Sequence, residues 1–357
     1  MACVHYCPES RRENIEFHQI DPLNDARWFR FINSHPDASV FHTPEWLRVL
    51  QQTYAFPCVA YVATGSDGEI VSGQVFCRVK SWLTGNRLVS VPFSDHAAIL
   101  GGEPDELRSL VDQLRDQVAM EKLGYVEFRP MREDLASQGC AASQHFYLHK
   151  ICLEPDLDSL YCKFHKDCIK RVIKRAEREN LAYVEGSTVA RIRQFYRLLV
   201  LTRGRQHRPS QTISWFMNLA SCMGNRMQLR IAYKDEKPIA GIITLSHGRT
   251  MVYKYGCSDA RFHSMGGMAF LLWKAIQDAK EKGMCEFDLG RSEVAHEGLI
   301  RFKEHWGAER IALRYWRYPA SAANHAGWTL KVAKPILAVA PPTALQVVGN
   351  LLYKHMA

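Results

Sequence analysis

The stretch Gly283-Met-Cys-Glu-Phe-Asp288 repeats the outline of Gly124-Tyr-Val-Glu-Phe128. In both, a Gly follows a segment with apolar residues at helical spacing and precedes a Glu-Phe strand, so it reads as a helix C-cap from which the chain turns into the sheet. Working outward, both copies keep one order. Before Gly283, Met268 to Lys282 is helical through Leu271, Leu272, Ala275, Ile276 and Ala279, and Thr250 to Tyr255 is extended. Before Gly124, Glu103 to Lys122 is helical through Leu107, Leu110, Val111, Leu114 and Val118, and Leu88 to Val91 and Ala98 to Leu100 are extended. Earlier still, Pro57 to Ala63, a turn from Gly65 to Gly68, and Ile70 to Val79 form a hairpin; Gln228 to Tyr233, a turn from Lys234 to Lys237, and Ile239 to Ser246 form its counterpart. Gly73 and Gly241 stand at matching points of the two hairpins.

A shared order of hairpin, strand, helix, Gly and Glu-Phe strand predicts a tandem duplication. The expected fold class is α/β (α+β), with mixed central sheets flanked by helices. The expected divisions are an N-terminal unit at 1–155, a basic helical linker region at 156–225, a C-terminal unit carrying the motifs at 226–320, and an apolar tail at 321–357. A length of 357 residues agrees with two such units and allows a sizeable core without staples. The 47% hydrophobic and 23% charged residues argue against a largely disordered or polytopic membrane chain. A net charge of +9 favours anionic partners without choosing among them.

Eleven cysteines without an even framework, and a start from Met1 to Arg12 lacking an apolar export segment, predict a reducing cytoplasmic location with mostly buried thiols. Cys3, His5 and Cys7 could form half a metal site, but no second Cys or His pair completes it, and no metal is expected. No seryl nucleophile elbow, phosphate-binding Walker loop, zinc-protease motif or nucleic-acid-binding finger appears.

The sharpest local patterns are Phe287-Asp-Leu-Gly-Arg-Ser292 and Gly298-Leu-Ile-Arg-Phe-Lys-Glu-His-Trp-Gly-Ala308. On them the unit resembles the acyltransferase fold of the GCN5-related N-acetyltransferase superfamily. Its duplication resembles the FemAB-like peptidyl and aminoacyl transferases, in which a strand ending in Asp-x-Gly precedes a Gly-Leu-x-x-Phe-Lys-x-x-Trp-Gly segment. The resemblance runs from Phe41 to Tyr318. It implies transfer of an acyl or aminoacyl group to an amine of a cell-envelope or exopolysaccharide precursor. The acceptor would be a small molecule or linked to a lipid carrier, the donor aminoacyl-tRNA or acyl-CoA, and no cofactor is tightly bound. Single-unit acetyl-coenzyme A enzymes cradle a pyrophosphate on a basic-x-x-Gly-x-Gly/Ala loop at a helix N-terminus. Here Ser264-Met-Gly-Gly267-Met-Ala269 keeps Gly267 and Ala269 as candidate cofactor contacts but has Ser in the basic position, a departure shared with FemAB-like members that take their group from charged tRNA. Two other readings stand beside this one: an acyl-CoA dependent N-acyltransferase acting on an amino sugar, and a non-enzymatic module that binds a phosphorylated carrier or RNA.

Acyl transfer to an amine requires alignment, stabilisation of an oxyanion and removal of a proton. Lys303, between Phe302 and Trp306, is a candidate oxyanion donor anchored by its aromatic neighbours; the plainer reading is a lysine stem packed beside them. Asp288 and Arg291 stand at a strand end, where α/β sheets present ligand-binding groups. Asp288 could orient the acceptor amine or fix Arg291, and Arg291 could hold a carboxylate or phosphate; equally, the two could be a structural ion pair. Strand alternation predicts that Tyr253 and Tyr255 share a face, away from Lys254, either lining an acceptor groove or packing the sheet. From Tyr161 to Arg178, seven basic residues face two acidic ones, and Leu160, Phe164, Cys168, Val172 and Ala176 recur every fourth position. That spacing predicts one amphipathic helix whose Lys170, Arg171 and Lys174 hold a pyrophosphate or a tRNA backbone, or simply face solvent. Phe195 to Arg208 and Ser214 to Cys222 read as helices leading into the second unit. Residues 335–353 carry no charge but contain Pro341, Pro342 and Asn350, a poor membrane span. They are expected to lie in the inner headgroup layer of the membrane or to dock on the protein itself.

Overall fold

Both copies of the repeat feed one mixed sheet. The structure, a computed structural model, describes residues 17–325 apart from 83, together with 349 and 353–355. The first copy runs β1 (His18–Ile20), α1 (Ala26–Ser34), α2 (Pro44–Tyr54), β2 (Cys58–Thr64), β3 (Ile70–Ser81), β4 (Gly85–Val89), α3 (Pro104–Met120), β5 (Tyr125–Phe128) and β6 (Ala141–Cys152). The second runs β7 (Ala182–Glu185), α6 (Val189–Arg205), α7 (Ile213–Met223), β8 (Met227–Lys234), β9 (Lys237–His247), β10 (Thr250–Ser258), α8 (Gly267–Glu281), β11 (Glu286–Glu293), α9 (Glu297–Glu304) and β12 (Glu309–Tyr318). Thus β7, α6 and α7, inside the 156–225 stretch, take the places that β1, α1 and α2 hold in the first copy.

The strand order is β1-β2-β3-β4-β5-β12-β6-β11-β10-β9-β8-β7. At its middle the copies exchange their last strands. β6 of the first copy pairs antiparallel with β11 of the second, β12 of the second pairs antiparallel with β5 of the first, and β6 and β12 pair with each other from Glu309↔Lys150 to Arg317↔Ala141. The parallel pairs β4–β5 and β10–β11 need a crossover, which α3 and α8 supply. Each parallel pair is short: Arg87–Val89 against Tyr125–Glu127, and Thr250–Val252 against Glu286–Asp288. Beyond Val252 the partners diverge, because β10 continues along β9 while β11 continues along β6.

Both crossover helices end in a left-handed residue closed by a hydrogen bond back into the last turn. In α8 that residue is Gly283 (φ 69), with Met284 N–H bonded to Ala279 O at 2.9 Å. In α3 it is Lys122 (φ 50), with Leu123 N–H bonded to Val118 O at 3.1 Å. Gly124, read from the sequence as the cap, lies two residues further on and bonds Asn86 O instead.

Among the described residues four buried clusters lie on the sheet, three of them under helices. One gathers Trp28, Trp46 and Trp215 under α1, α2, α6 and α7; a second gathers Ile173, Trp273 and Trp306 under α8 and the connector; a third lies under α3. The connector is not the single helix expected. α4 (Leu157–Lys163) stops at Phe164, whose backbone is extended (ψ 141). A π turn at Lys166–Lys170 follows, and then α5 (Arg171–Arg178). The His165 imidazole accepts from the N–H groups of Asp167 and Cys168 and so starts the second segment. Break and π turn together move the apolar stripe: Leu160 and Phe164 are buried, then Ile169, Ile173 and Ala176, while Cys168 is exposed.

Cys3, His5 and Cys7 and nearly all of the 335–353 stretch fall outside the described residues. At the chain's far end, Tyr353 packs on Phe93 with ring centroids 5.7 Å apart, and the His355 carbonyl accepts from Arg87 at 3.1 Å. Among the described residues no helix is long and apolar enough to cross a membrane.

Because each copy completes the other's sheet, residues 1–155 expressed alone should be insoluble, β5 having lost β12 and β6 having lost its partners on both sides. The whole chain should unfold in one calorimetric transition, and two resolved transitions would show independent units.

Candidate active site

The divergence of β10 and β11 opens a cavity of about 340 Å³. Irregularities in both strands shape it. In β10 the register slips between Tyr253 and Tyr255, so Lys254 is an extra residue. The expected alternation is thereby overturned: Tyr253 packs with the α8-side cluster, while Lys254 and Tyr255 both face the other side, Lys254 lying over the rings of Phe41 and Trp46. All three still line the cavity. In β11 the register slips between Asp288 and Arg291, and Gly290 there has φ 73, a conformation that L side chains avoid.

This second bulge is clamped from two sides. The Asp288 carboxylate, fully buried, accepts from Gly290 N–H at 2.6 Å and pairs with His96 Nε2 at 3.0 Å. Lys303, 3% exposed, donates from Nζ to the carbonyls of Gly290 (2.6 Å) and Arg291 (3.0 Å). Burial pulls the Lys303 ammonium down to about 8, with Asp95 and Asp288 opposing. Lys303 reaches the cavity wall, whereas Asp288 lies behind it.

Among the described residues Asp288 and Arg291 make no ion pair. Arg291 instead lies 4.2 Å from the Phe146 ring centroid, donates to Tyr315 Oη at 2.5 Å, and approaches Asp95 at 3.7 Å. Asp95 accepts from Lys254 Nζ at 2.9 Å. Burial alone would raise the Asp95 carboxyl, but Lys254, Arg291 and Lys303 outweigh it and hold the group below its ordinary range. Burial likewise lowers Lys254, against the pull of Asp95. The rim adds Arg203 and Arg208, the latter 3.3 Å from Glu293.

The other expected site residues lie elsewhere. Trp306 is fully buried against Phe164 and Phe302 and anchors α9. Gly267 and Ala269 are buried in the first turn of α8. Lys170 donates to Cys162 O at 2.8 Å, Arg171 pairs with Asp167 at 2.6 Å, and Lys174 is exposed; none of the three lines the cavity.

Comparison with known proteins agrees with this fold. Residues 163–304 match the family model of an acetyltransferase (GNAT) domain, a span that ends one residue beyond Lys303. Residues 163–304 thus hold a GNAT-type acetyltransferase domain, and the chain as a whole has a FemAB-like tandem fold. Its structure is similar to that of FemX, with a TM-score of 0.69 and 13% identity over 90% of this chain and 100% of that one. It is also similar to a tandem GNAT protein from the clavulanic acid biosynthesis pathway (TM-score 0.53, 9% identity, 85% and 98% covered). A third is the C-terminal domain of a putative lysylphosphatidylglycerol synthetase from Agrobacterium fabrum (TM-score 0.52, 14% identity, 77% and 88% covered). No curated protein sequence matches the chain.

In this chain the two units contribute unequally. At the position of Asp288 the first unit has Arg129, buried, which with Arg317 clamps the buried Glu127. Arg129 also donates to the carbonyls of Val91 and Ser94, filling the gap where β4 and β5 part. The loop it holds carries Phe93 and Asp95 into the second unit's cavity and His96 onto Asp288. Sequence reading missed Asp95 and His96, since no local pattern connects a loop after β4 with a strand that comes much later in the chain. Their one signal is a polar Ser94-Asp-His96 run between two apolar extended segments.

Asp95→Ala would leave the Lys254 ammonium buried without its partner, at a cost of about 3 kcal/mol. Denaturant unfolding should record that loss. Asp95→Leu combined with Lys254→Met should recover most of it, and additive losses in the double variant would rule out the pairing.

Proposed function

We propose that the chain transfers an acyl or aminoacyl group to an amine on a cell-envelope or exopolysaccharide precursor, with charged tRNA as the donor. The packing of α5 against the loop before α8 carries this reading. In single-unit acetyl-coenzyme A enzymes that loop cradles a pyrophosphate on its backbone. Here a Cβ on Gly266 would stand 2.7 Å from the Val172 carbonyl, and Arg175 donates to Ser264 O at 3.2 Å. Part of the space beside the loop is therefore filled by α5, while α5 and the π turn offer outward the basic residues Lys166, Arg171, Lys174 and Arg178. Such a face suits a polyanionic backbone bound through counterion release. Neighbours that include a protein named for a lysylated lipid support an aminoacyl group and a membrane-linked acceptor. Tyr353 at the cavity mouth puts the end of the apolar tail beside the site.

In this scheme the amine attacks the donor ester carbonyl inside the cavity. The tetrahedral intermediate collapses by breaking the C–O bond to the 3′-terminal ribose of the tRNA, and the proton lost by the amine leaves with the ribose hydroxyl. Lys303, held by two carbonyls, turns its remaining N–H toward the developing oxyanion. Asp288 is a positioning residue: through Gly290 N–H it holds the bulge that Lys303 grips. Arg291, planar between Phe146 and Tyr315, meets a carboxylate or phosphate of the substrate. Tyr253 and Tyr255 form opposite walls.

A second reading, an acyl-CoA dependent enzyme acting on an amino sugar, is favoured by Arg175, whose guanidinium supplies at that loop the cation that Ser264 lacks. Incubation with labelled aminoacyl-tRNA and with labelled acetyl-CoA, each with an amine acceptor, separates the two. Product from acetyl-CoA alone would overturn the tRNA reading. The match of residues 163–304 to an acetyltransferase (GNAT) domain supports an enzyme over the non-enzymatic module.

Lys303→Met should lower turnover by roughly a hundredfold. It should also lower thermal stability, because two buried carbonyls lose a donor worth about 1–3 kcal/mol each. Since catalysis here needs the ammonium, the parent rate should fall as pH rises through about 8. Stability runs the other way: between about 8 and the ordinary lysine value of 10.5 the unfolded chain binds the extra proton, so Lys303's contribution to stability rises with pH. A rate that stays flat to pH 10 would remove Lys303 from the chemistry.

Replacing Lys170, Arg171 and Lys174 together with Glu should weaken donor binding at least tenfold, and parent affinity should fall steeply with salt. Filter binding with charged tRNA measures both, and salt-independent binding by the parent would reduce the helix to a solvated face.

A further inference from the structure

We propose that His165, Cys168 and His305 form a metal site for a borderline-soft divalent ion, with Zn²⁺ as the expected occupant. The ligand atoms of these three residues lie within 4.8 Å of one another. The His165 and His305 rings lie with centroids 4.4 Å apart and planes tilted by 42°, and the main-chain N–H of His165 donates to His305 O at 2.8 Å, which fixes the two backbones together. Two imidazoles and a thiolate make a donor set suited to zinc, with a fourth position left for water or a further ligand. Around a tetrahedral zinc ion such ligand atoms stand roughly 3.5 Å apart. Closing the site therefore needs only small rotations of side chains that are exposed at His165 and Cys168 and half-buried at His305.

His165 Nδ1 accepts from the main-chain N–H groups of Asp167 at 3.3 Å and Cys168 at 3.2 Å. An ion on that nitrogen replaces two long contacts and gains the thiolate and the second imidazole. The site joins parts of the chain with separate tasks. His165 starts the second half of the basic connector, and His305 caps α9 two residues after Lys303. A bound ion would clip the connector to the helix that carries Lys303, independently of which donor the enzyme uses. Local spacing could not reveal it, because His305 comes from the far end of the described chain.

The test uses the full chain carrying Cys3→Ser and Cys7→Ser, which removes the thiols of the N-terminal Cys-His-Cys cluster. Titration with Co²⁺ should give one equivalent with a thiolate-to-metal absorption band, and Zn²⁺ should displace it. Cys168→Ser and His305→Ala should each abolish the band and weaken Zn²⁺ at least tenfold, while Cys162→Ser, one helical segment away, should change neither. Saturating Zn²⁺ should raise the unfolding temperature of the parent but not of Cys168→Ser. Should those variants fail to fold, Zn²⁺ protection of Cys168 against iodoacetamide, read by peptide mass spectrometry, tests the unaltered chain. Absence of the band, equal affinity in parent and Cys168→Ser, or unprotected Cys168 would each overturn the site.

Discussion

Main-chain pairing between β6 and β12 is the constraint on which the rest of this molecule depends. Each strand belongs to one copy of the repeat and is hydrogen-bonded into the sheet of the other, so neither half has a closed sheet alone. A boundary between domains normally crosses few contacts and leaves each side its own core. Here the boundary runs through the centre of the sheet. The orientation of the two copies follows from ladder geometry, and with it the distance between the loop after β4 and the bulge in β11.

That fixed relation makes a site of groups supplied by both units. His96 reaches Asp288, Asp95 reaches Lys254 and Arg291, and the Tyr315 hydroxyl donates to the Asp95 carbonyl at 2.7 Å. Charges this deeply buried would be costly singly, since each has left water. In alternating order, acid beside base, they support one another. The same logic closes the first unit: Arg129 and Arg317 against Glu127 fill the cleft with an ion triad, and Arg129 spends its remaining donors on the loop that serves the other site. Duplication has left one copy open and made the other its support.

Bulges do the finer positioning. A regular β10 would turn Lys254 away from Tyr255, and a regular β11 would carry no turned-in carbonyls for Lys303 to grip. Gly290, at φ 73, is where that geometry needs a residue without a Cβ. The Asp-Leu-Gly-Arg run thus has a physical reading: the Asp holds the Gly amide, the Gly permits the turn, and the Lys of α9 binds the carbonyls that the turn exposes.

The sequence by itself determined the repeat, the crossover helices and the segments that hold Asp288, Arg291 and Lys303, because apolar periodicity and glycine punctuation act over neighbouring residues. It also marked the basic connector, though not its break, since the His165 cap and the π turn shift a register that spacing alone extends unbroken. What only the tertiary structure decided depends on pairing between distant residues. The strand exchange is decided by which edges meet, and no local preference distinguishes β6 beside β11 from β6 beside β5. The roles of Asp95 and His96, the side that Lys254 faces, and the meeting of His165 with His305 follow from that exchange. They are set by through-space contacts between segments that the order of residues along the chain keeps apart.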